Sequence, residues 1–227
     1  NSPVKQIVSN SESFALLKED GQVITWGDVF GGSAHYPIVN RNALYGVKKL
    51  FSSSHAFAAL KENGATVIWG YDSSPSNGAG NYEWWAGGLD GTEASGEVKD
   101  IASTNGAFAI LKEDGSVATW GKDSEGGDSS KVANQLNNEV DRIFSTNGAF
   151  AALKNDGSVV TWGDVNRGAD SSSVLADIGG RVSTIFTTDE AFAALKNDGS
   201  VVSWGGAGGD SSSVDFDGAN NDLTVVG

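Results

Sequence analysis

Apolar and polar residues alternate in short blocks along the whole chain, and the same order of blocks returns five times. A block such as Ala-Phe-Ala-Ala-Leu-Lys at 149–154 is followed by a polar turn ending in glycine, and then by a second apolar block ending in Trp-Gly. Asp-Gly or Asn-Gly between apolar runs is a strong β-hairpin signal, because both turn residues tolerate a positive φ. In the fourth unit this predicts strands at 149–154 and 158–162, with an earlier strand at 140–144.

The pattern repeats with a period of about 42 residues. Its second strand is apolar on both faces, so it needs cover on both sides, which an isolated hairpin cannot provide. Stacked repeats of this length predict an all-β fold, a β-propeller of five blade-like repeats in a single domain over 1–227. We predict that the N- and C-terminal strands pair to close the ring; the alternatives are a β-solenoid or part of a larger ring. The units start at Val4, Val47, Val98, Val140 and Val182, and a sixth start appears at Leu223.

The hairpin motif Asp-Gly-x-Val-x-x-Trp-Gly, at 114–121 and 156–163, resembles the regulator of chromosome condensation repeat family. The resemblance covers all five units and implies propeller blades, although rings of that family usually have seven. Two family motifs differ in this chain. The Gly-His before the second strand is mostly Gly-Ala or Glu-Ala, with only His55 similar to it, and the Gly-Gln-Leu-Gly turn is replaced by Gly-Gly-Asp-Ser-Ser.

The resemblance implies several functions. The family includes exchange factors that dock on chromatin, secreted propellers that inhibit β-lactamases, and repeat blocks with Asp-Ser-Ser turns in large bacterial surface or secreted proteins. The near-identical units are most similar to the last group. We therefore expect a non-enzymatic, adhesin-like module at the cell surface or outside the cell, which binds a glycan or a cell-surface protein through a propeller face. The alternatives are a spacer or self-assembling subunit, an enzyme inhibitor and a glycoside hydrolase.

Composition and charge limit the classes of partner that we expect this chain to bind. The 227 residues include no cysteine and two histidines, and the formal net charge is −14. A chain this acidic repels phosphate backbones, so we expect no nucleic-acid binding. No run of 18 apolar residues is present, so we expect no membrane insertion. The missing initiator methionine indicates a mature form or a piece of a longer protein.

Aromatic residues in an insertion of the second unit are the main candidates for ligand binding. Tyr71, Tyr82, Trp84 and Trp85 interrupt the repeat, so the repeat itself does not require them. Exposed aromatic rings stack on sugars or anchor protein partners, and Glu83 could accept hydrogen bonds from sugar hydroxyls. Glu83 with an acid from another blade is also what a glycoside hydrolase would use. The competing interpretation is that this loop packs over the mouth of the ring.

Two other repeated features have structural explanations. The Asp-Ser-Ser turns offer oxygen ligands for calcium, the one cofactor we consider, but a helix cap or an Asx-turn explains them equally. In unit three, the residues from Val132 to Leu136 are predicted to form one short helix, with Asp128 as its N-cap. Each Trp-Gly pair recurs in every unit, so its tryptophan is expected to pack between blades. We identify no catalytic residues, because Gly-x-Ser-x-Gly and His-Glu-x-x-His motifs are both missing. The candidate calcium ligands are Asp128, Asp170 and Asp210.

Overall fold

Three antiparallel strands form each repeat unit. The computed structural model describes residues 2–28, 44–54, 56–70 and 97–211. In these ranges, fifteen strands form five separate sheets, and each sheet follows chain order. All five predicted unit starts begin a strand, which confirms the all-β prediction. The strands are β1 Val4–Ser9, β2 Ser13–Lys18, β3 Val23–Gly27, β4 Val47–Ser52, β5 Ala56–Lys61, β6 Thr66–Gly70, β7 Val98–Ser103, β8 Ala107–Lys112, β9 Val117–Gly121, β10 Val140–Ser145, β11 Ala149–Lys154, β12 Val159–Gly163, β13 Val182–Thr187, β14 Ala191–Lys196 and β15 Val201–Gly205.

A tight turn closes the hairpin between the second and third strand of each sheet. In unit four, Gly157 has a φ of +80°. The Asp156 carboxylate accepts hydrogen bonds from the backbone N–H of Ser158 at 2.9 Å and from its hydroxyl at 2.6 Å. A Cβ added at Gly157 would lie 2.7 Å from the backbone nitrogen of Arg181 in the next unit. Glycine is therefore required both by the turn and by the approach of the neighbouring unit.

The hydrophobic cores lie between the sheets, so each of the three middle sheets has a core on both sides. In β11, Ala151 and Leu153 pack towards unit five, while Phe150 and Ala152 pack towards unit three. This alternation follows from the two-residue period of a strand. Four such clusters join the five sheets in chain order. The prediction that the second strand is buried on both faces is confirmed for β11.

Short helices, most of them 3-10, follow the third strand in units three and four. Leu136 and Ile178, which end these segments, are 2% and 0% exposed and anchor them to the cores. In unit three the predicted helix is present, but its N-cap is Ser129 rather than Asp128. No helix among the residues described is long and apolar enough to cross a membrane. The helices are Asp123–Glu125, Ser130–Gln135, Val165–Arg167, Ser172–Val174 and the α-helix α1, Leu175–Ile178.

The predicted closing strand at 223–226 lies outside the described residues. Pairing of the N- and C-terminal strands therefore stays a prediction.

Candidate recognition cleft

A polar turn joins the first and second strand of every unit. Its middle residue has a side-chain oxygen that accepts the backbone N–H three residues later. In units three and four this residue is Thr104 or Thr146, which accepts from Ala107 or Ala149 at 3.0 Å. Serine, threonine and asparagine suit this position because their short side chains can bond to the local backbone. The five turns are Ser9-Asn10-Ser11, Ser52-Ser53-Ser54, Ser103-Thr104-Asn105, Ser145-Thr146-Asn147 and Thr187-Thr188-Asp189.

Backbone hydrogen bonds join each of these turns to the turn of the next unit. Ser11 N–H donates to the carbonyl oxygen of Ser54 at 3.1 Å, and Ser54 N–H donates to that of Asn105 at 3.2 Å. The bonds from Asn105 to Asn147 and from Asn147 to Asp189 are both 2.9 Å. The five turns therefore form one continuous row at the same end of the stacked sheets.

A cleft of about 440 Å³ opens along this row of turns. Its residues bring hydroxyl and amide groups, which both donate and accept hydrogen bonds and carry no charge. Some of these groups hold each other in place: the Ser54 hydroxyl donates to Asn105 Oδ1 at 2.8 Å, and the Ser103 hydroxyl donates to the Ser52 carbonyl at 2.9 Å. The lining residues are Ser9, Asn10, Ser11, Ser52, Ser53, Ser54, Ser103, Thr104, Asn105, Thr146 and Asn147.

Buried hydrogen bonds also fix the turns from below. Thr104 is 4% and Thr146 is 5% exposed. The Thr146 hydroxyl donates to the carbonyl of Arg167 at 2.8 Å, and the Thr104 hydroxyl donates to that of Glu125 at 2.9 Å. Each threonine therefore ties its turn to the 3-10 helix of its own unit. The cleft is held rigidly before any ligand arrives.

The aromatic candidates for ligand binding all belong to a segment outside the described residues. Their part in recognition therefore stays a prediction. The repeated tryptophans can be located: Trp69, Trp162 and Trp204 are at most 5% exposed and lie in the clusters between sheets. For these three, the prediction that they pack between blades is confirmed, whereas it is wrong for Trp26 of unit one, which is 43% exposed. The segment outside the described residues holds Tyr71, Tyr82, Glu83, Trp84 and Trp85.

Two of the three candidate calcium ligands lie in Asx-turns. Asp128 Oδ1 accepts the N–H of Ser130 at 2.8 Å, and Asp170 Oδ1 accepts that of Ser172 at 3.0 Å. Hydrogen bonds from the backbone and hydroxyl of Ser130 hold the pKa of Asp128 below its ordinary value, and those from the hydroxyl and backbone of Ser172 do the same for Asp170. Asp210 is exposed at the corresponding place in unit five. Within the described ranges, no three acidic or histidine side chains are grouped closely enough to hold a metal ion.

Sequence reasoning did not identify the cleft, although its signal was present. A small polar stretch precedes each Phe-containing block, but its sequence does not show that the stretches of different units contact each other. Only the hydrogen bonds between units show that these stretches come together.

Comparison with solved structures identifies the architecture. Human WBSCR16 superposes with a TM-score of 0.58 at 19% identity, over 89% of this chain and 61% of that one. Yeast RCC1 (Prp20), in a complex with Kap60, superposes with a TM-score of 0.58 at 18% identity, over 89% and 56%. The fold is that of an RCC1-like propeller. The CRINKLY WD40 ectodomain of the Arabidopsis thaliana receptor kinase ACR4 is also similar, with a TM-score of 0.52 and 14% identity over 90% and 69%.

The likeness to these RCC1-like propellers is one of fold. The chain spans about three fifths of the length of the first two solved chains it matches. Prp20 from Saccharomyces cerevisiae has been characterised for its binding to Gsp1p and histones. No family model and no curated protein gives a significant match to the sequence.

Proposed function

We propose that this RCC1-like propeller is a non-enzymatic recognition module that binds a neutral, polar ligand in the cleft along its row of turns. The observation that carries the proposal is the cleft itself, whose eleven described lining residues are all serine, threonine or asparagine. Uncharged donors and acceptors match sugar hydroxyls and peptide groups. The ligand is accordingly a glycan or a segment of a protein partner.

The rigidity of the turns favours this role. Their side chains and backbones are already hydrogen-bonded, so a ligand does not have to order them, and less binding free energy is lost. Asn105 and Asn147 contribute amide groups that can donate and accept at the same time. If the aromatic residues of the unit-two insertion lie near the cleft, they would add stacking on sugar rings. The lining residues offer no group that titrates near neutral pH, which favours binding over acid–base chemistry.

The setting of this function is part of the same proposal. The binding of Prp20 to Kap60, Gsp1p and histones supports a protein ligand for a propeller of this shape. The net charge of −14 favours neutral or basic partners over phosphate-rich ones. We place the module outside the cell or on the cell surface in an adhesin-like role, because of its resemblance to repeat blocks of large bacterial surface proteins.

A glycan array and a binding screen against cell-surface proteins test the proposal. The Asn105→Ala/Asn147→Ala double variant should weaken binding at least tenfold. Asn197→Ala is the matched control, because Asn197 is exposed at the opposite end of its sheet. The Trp84→Ala/Trp85→Ala variant tests the contribution of the insertion. Binding that is unchanged by the paired asparagine substitutions would place the ligand elsewhere on the propeller.

Calcium at Asp128, Asp170 and Asp210 is a separate proposal. It predicts that calcium raises the melting temperature and that Asp170→Asn reduces this effect. A melting temperature that is the same in calcium and in chelator would exclude a structural ion at these turns.

The alternative function, a self-assembling subunit, is also favoured by one observation. The apolar pair Phe14 and Trp26 of the first unit is 44% and 43% exposed.

A further inference from the structure

The contact between successive units centres on a pair of stacked aromatic rings. Phe150 and Trp162 of unit four stack at a centroid distance of 5.2 Å, and Phe192 and Trp204 of unit five at 5.4 Å. All four side chains are at most 5% exposed. They pack against the preceding sheet, as Phe150 does in one cluster with Ala109 of unit three.

A glycine of the preceding unit forms the other side of this contact. Trp162 Nε1 donates to the carbonyl oxygen of Gly126 at 3.1 Å, and Trp204 Nε1 donates to that of Gly168 at 3.0 Å. A Cβ added at Gly126 would lie 2.5 Å from Cδ2 of Phe150, and the equivalent distance at Gly168 is 2.6 Å. In this contact, the two rings of one unit therefore lie against a turn of the preceding unit that has no side chain at its glycine.

Unit one exposes the ring half of this contact. Phe14 and Trp26 stack at 5.2 Å, yet they are 44% and 43% exposed. Ile7 and Ile24 pair with Leu16, which lies two residues from Phe14 and so on the same face of the sheet. These two isoleucines are 56% and 43% exposed. We call Ile7, Phe14, Ile24 and Trp26 the leading face.

Unit five exposes the glycine half. The Ser203 hydroxyl donates to the carbonyl of Gly209 at 2.9 Å, and Thr161 donates to the equivalent carbonyl in unit four at 2.7 Å. This match places Gly208, with a φ of +89°, where Gly168 lies in unit four. A Cβ added at Gly208 would meet nothing within 4 Å. The glycine turn of unit five is therefore open where the preceding ones are covered by rings.

A phenylalanine on the same side of unit five is exposed as well. Phe144 of unit four packs against the cluster between units four and five. Its counterpart Phe186 is 61% exposed. Both pair with an alanine of the second strand, Ala151 or Ala193, so they occupy equivalent positions. We call Phe186 and Gly208 the trailing face.

A second contact between successive units joins the hairpin turn of one unit to the first strand of the next. One side of this contact is also exposed in unit five, and the other side in unit one. Val182 N–H donates to the carbonyl oxygen of Gly157 in the preceding unit at 3.0 Å. Gly199 is the equivalent glycine of unit five, and a Cβ added there would meet nothing within 4 Å. Val4, at the start of β1, is the equivalent valine of unit one and is 54% exposed.

We propose that the trailing face of one copy of this chain docks on the leading face of a second copy, head to tail. The five sheets have four cores between them, and the two faces are the unmatched halves of a fifth contact of the same kind. Their shapes are complementary because the same residues already fit together inside the chain. Both faces are exposed in the described part of the chain.

Such a contact uses different surfaces on its two partners, so it leaves a free face at each end. It therefore extends into longer assemblies, or closes into a ring of copies. The inference deepens the self-assembly alternative and does not depend on the ligand of the cleft. Because each chain carries a net charge of −14, association should strengthen with salt, which screens the repulsion between copies.

Two end-blocking substitutions test the proposal by sedimentation and light scattering at about 0.5 M salt, where screening is short-ranged. Trp26→Asp blocks the leading face, and Phe186→Asp blocks the trailing face. The unmodified chain should grow beyond its 23.4 kDa mass as concentration rises. Each variant alone should stay at that mass, whereas an equimolar mixture should form a species of twice that mass and stop. Val165→Asp is the control: Val165 is 62% exposed but lies on neither face, so this variant should associate like the unmodified chain.

Three outcomes would overturn the proposal. The unmodified chain could remain at the mass of one copy at every concentration. Phe186→Asp could still self-associate alone, which would mean that leading faces pair with each other. Either substitution could lower the melting temperature of a chain that never associates, which would indicate closure within one copy. Ile24→Asp provides a second leading-face variant if Trp26→Asp fails to fold, and ligand binding by the blocked variants tests the cleft separately.

Discussion

Two similar interfaces between units differ in whether the indole N–H of their tryptophan is hydrogen-bonded. Trp162 and Trp69 are 5% and 2% exposed, and each packs on a phenylalanine, with centroid distances of 5.2 and 5.5 Å. Trp162 Nε1 donates to the carbonyl of Gly126 at 3.1 Å. Trp69 Nε1 is buried and has no acceptor among the residues described. Replacing each tryptophan by phenylalanine therefore isolates the value of one hydrogen bond.

The expected difference in unfolding free energy between the two variants follows from this hydrogen bond. Both substitutions remove the same volume from a buried site, so the cavity cost is similar and cancels in the comparison. Trp162→Phe also loses a hydrogen bond worth about 1 kcal/mol, while Trp69→Phe removes an unpaired donor that costs about 1–3 kcal/mol to bury. We expect Trp162→Phe to destabilise the chain by about 2–4 kcal/mol more than Trp69→Phe.

Urea unfolding followed by circular dichroism measures this difference, and native-state hydrogen exchange gives it unit by unit if unfolding is not two-state. Trp204→Phe is a further control, because Trp204 Nε1 donates to Gly168 at 3.0 Å and should behave like Trp162. Equal losses for all three variants would refute the reasoning. A larger loss for Trp69→Phe would reverse it.

Two further predictions concern the turns. Gly168→Ala should lower the stability of the chain by about 1 kcal/mol through backbone strain and by about 1–3 kcal/mol more through overpacking against Phe192. Gly46→Ala should cost the backbone strain alone, because a Cβ added there meets nothing within 4 Å. Equal melting temperatures for the two variants would contradict this prediction. The hydroxyl and backbone N–H of Ser158 hold the pKa of Asp156 below its ordinary value of 3.8, so its stabilising contribution is complete above that pH and is lost as pH falls through the lowered pKa. Asp156→Asn should keep the turn, as Asn63 does in unit two, and reduce the acid sensitivity of unfolding; an NMR titration that places the pKa of Asp156 at or above 3.8 would exclude this explanation.

The strands could be predicted because their signals are local. Val140 begins a strand where the apolar pattern starts, and Gly157 takes the positive φ that its Asp-Gly turn requires. The helix in unit three was also predicted, but with Asp128 as its cap. The Asp128 carboxylate does accept the backbone N–H two residues later, so the side chain was assigned the correct kind of bond. The cap itself is one residue further on, because the Asx-turn forms before the helix begins.

The sequence by itself determined the repeat, the hairpin turns and the two-faced apolar strands, because these depend on residues close together in the chain. Only the tertiary structure decided what each repeated residue does. Phe14 and Phe150 occupy the same place in their units, yet one is 44% exposed and the other fully buried. Ser11 and Asn147 lie more than a hundred residues apart but line one cleft. Burial and the meeting of distant turns both depend on how one unit stacks on the next, which no single repeat encodes.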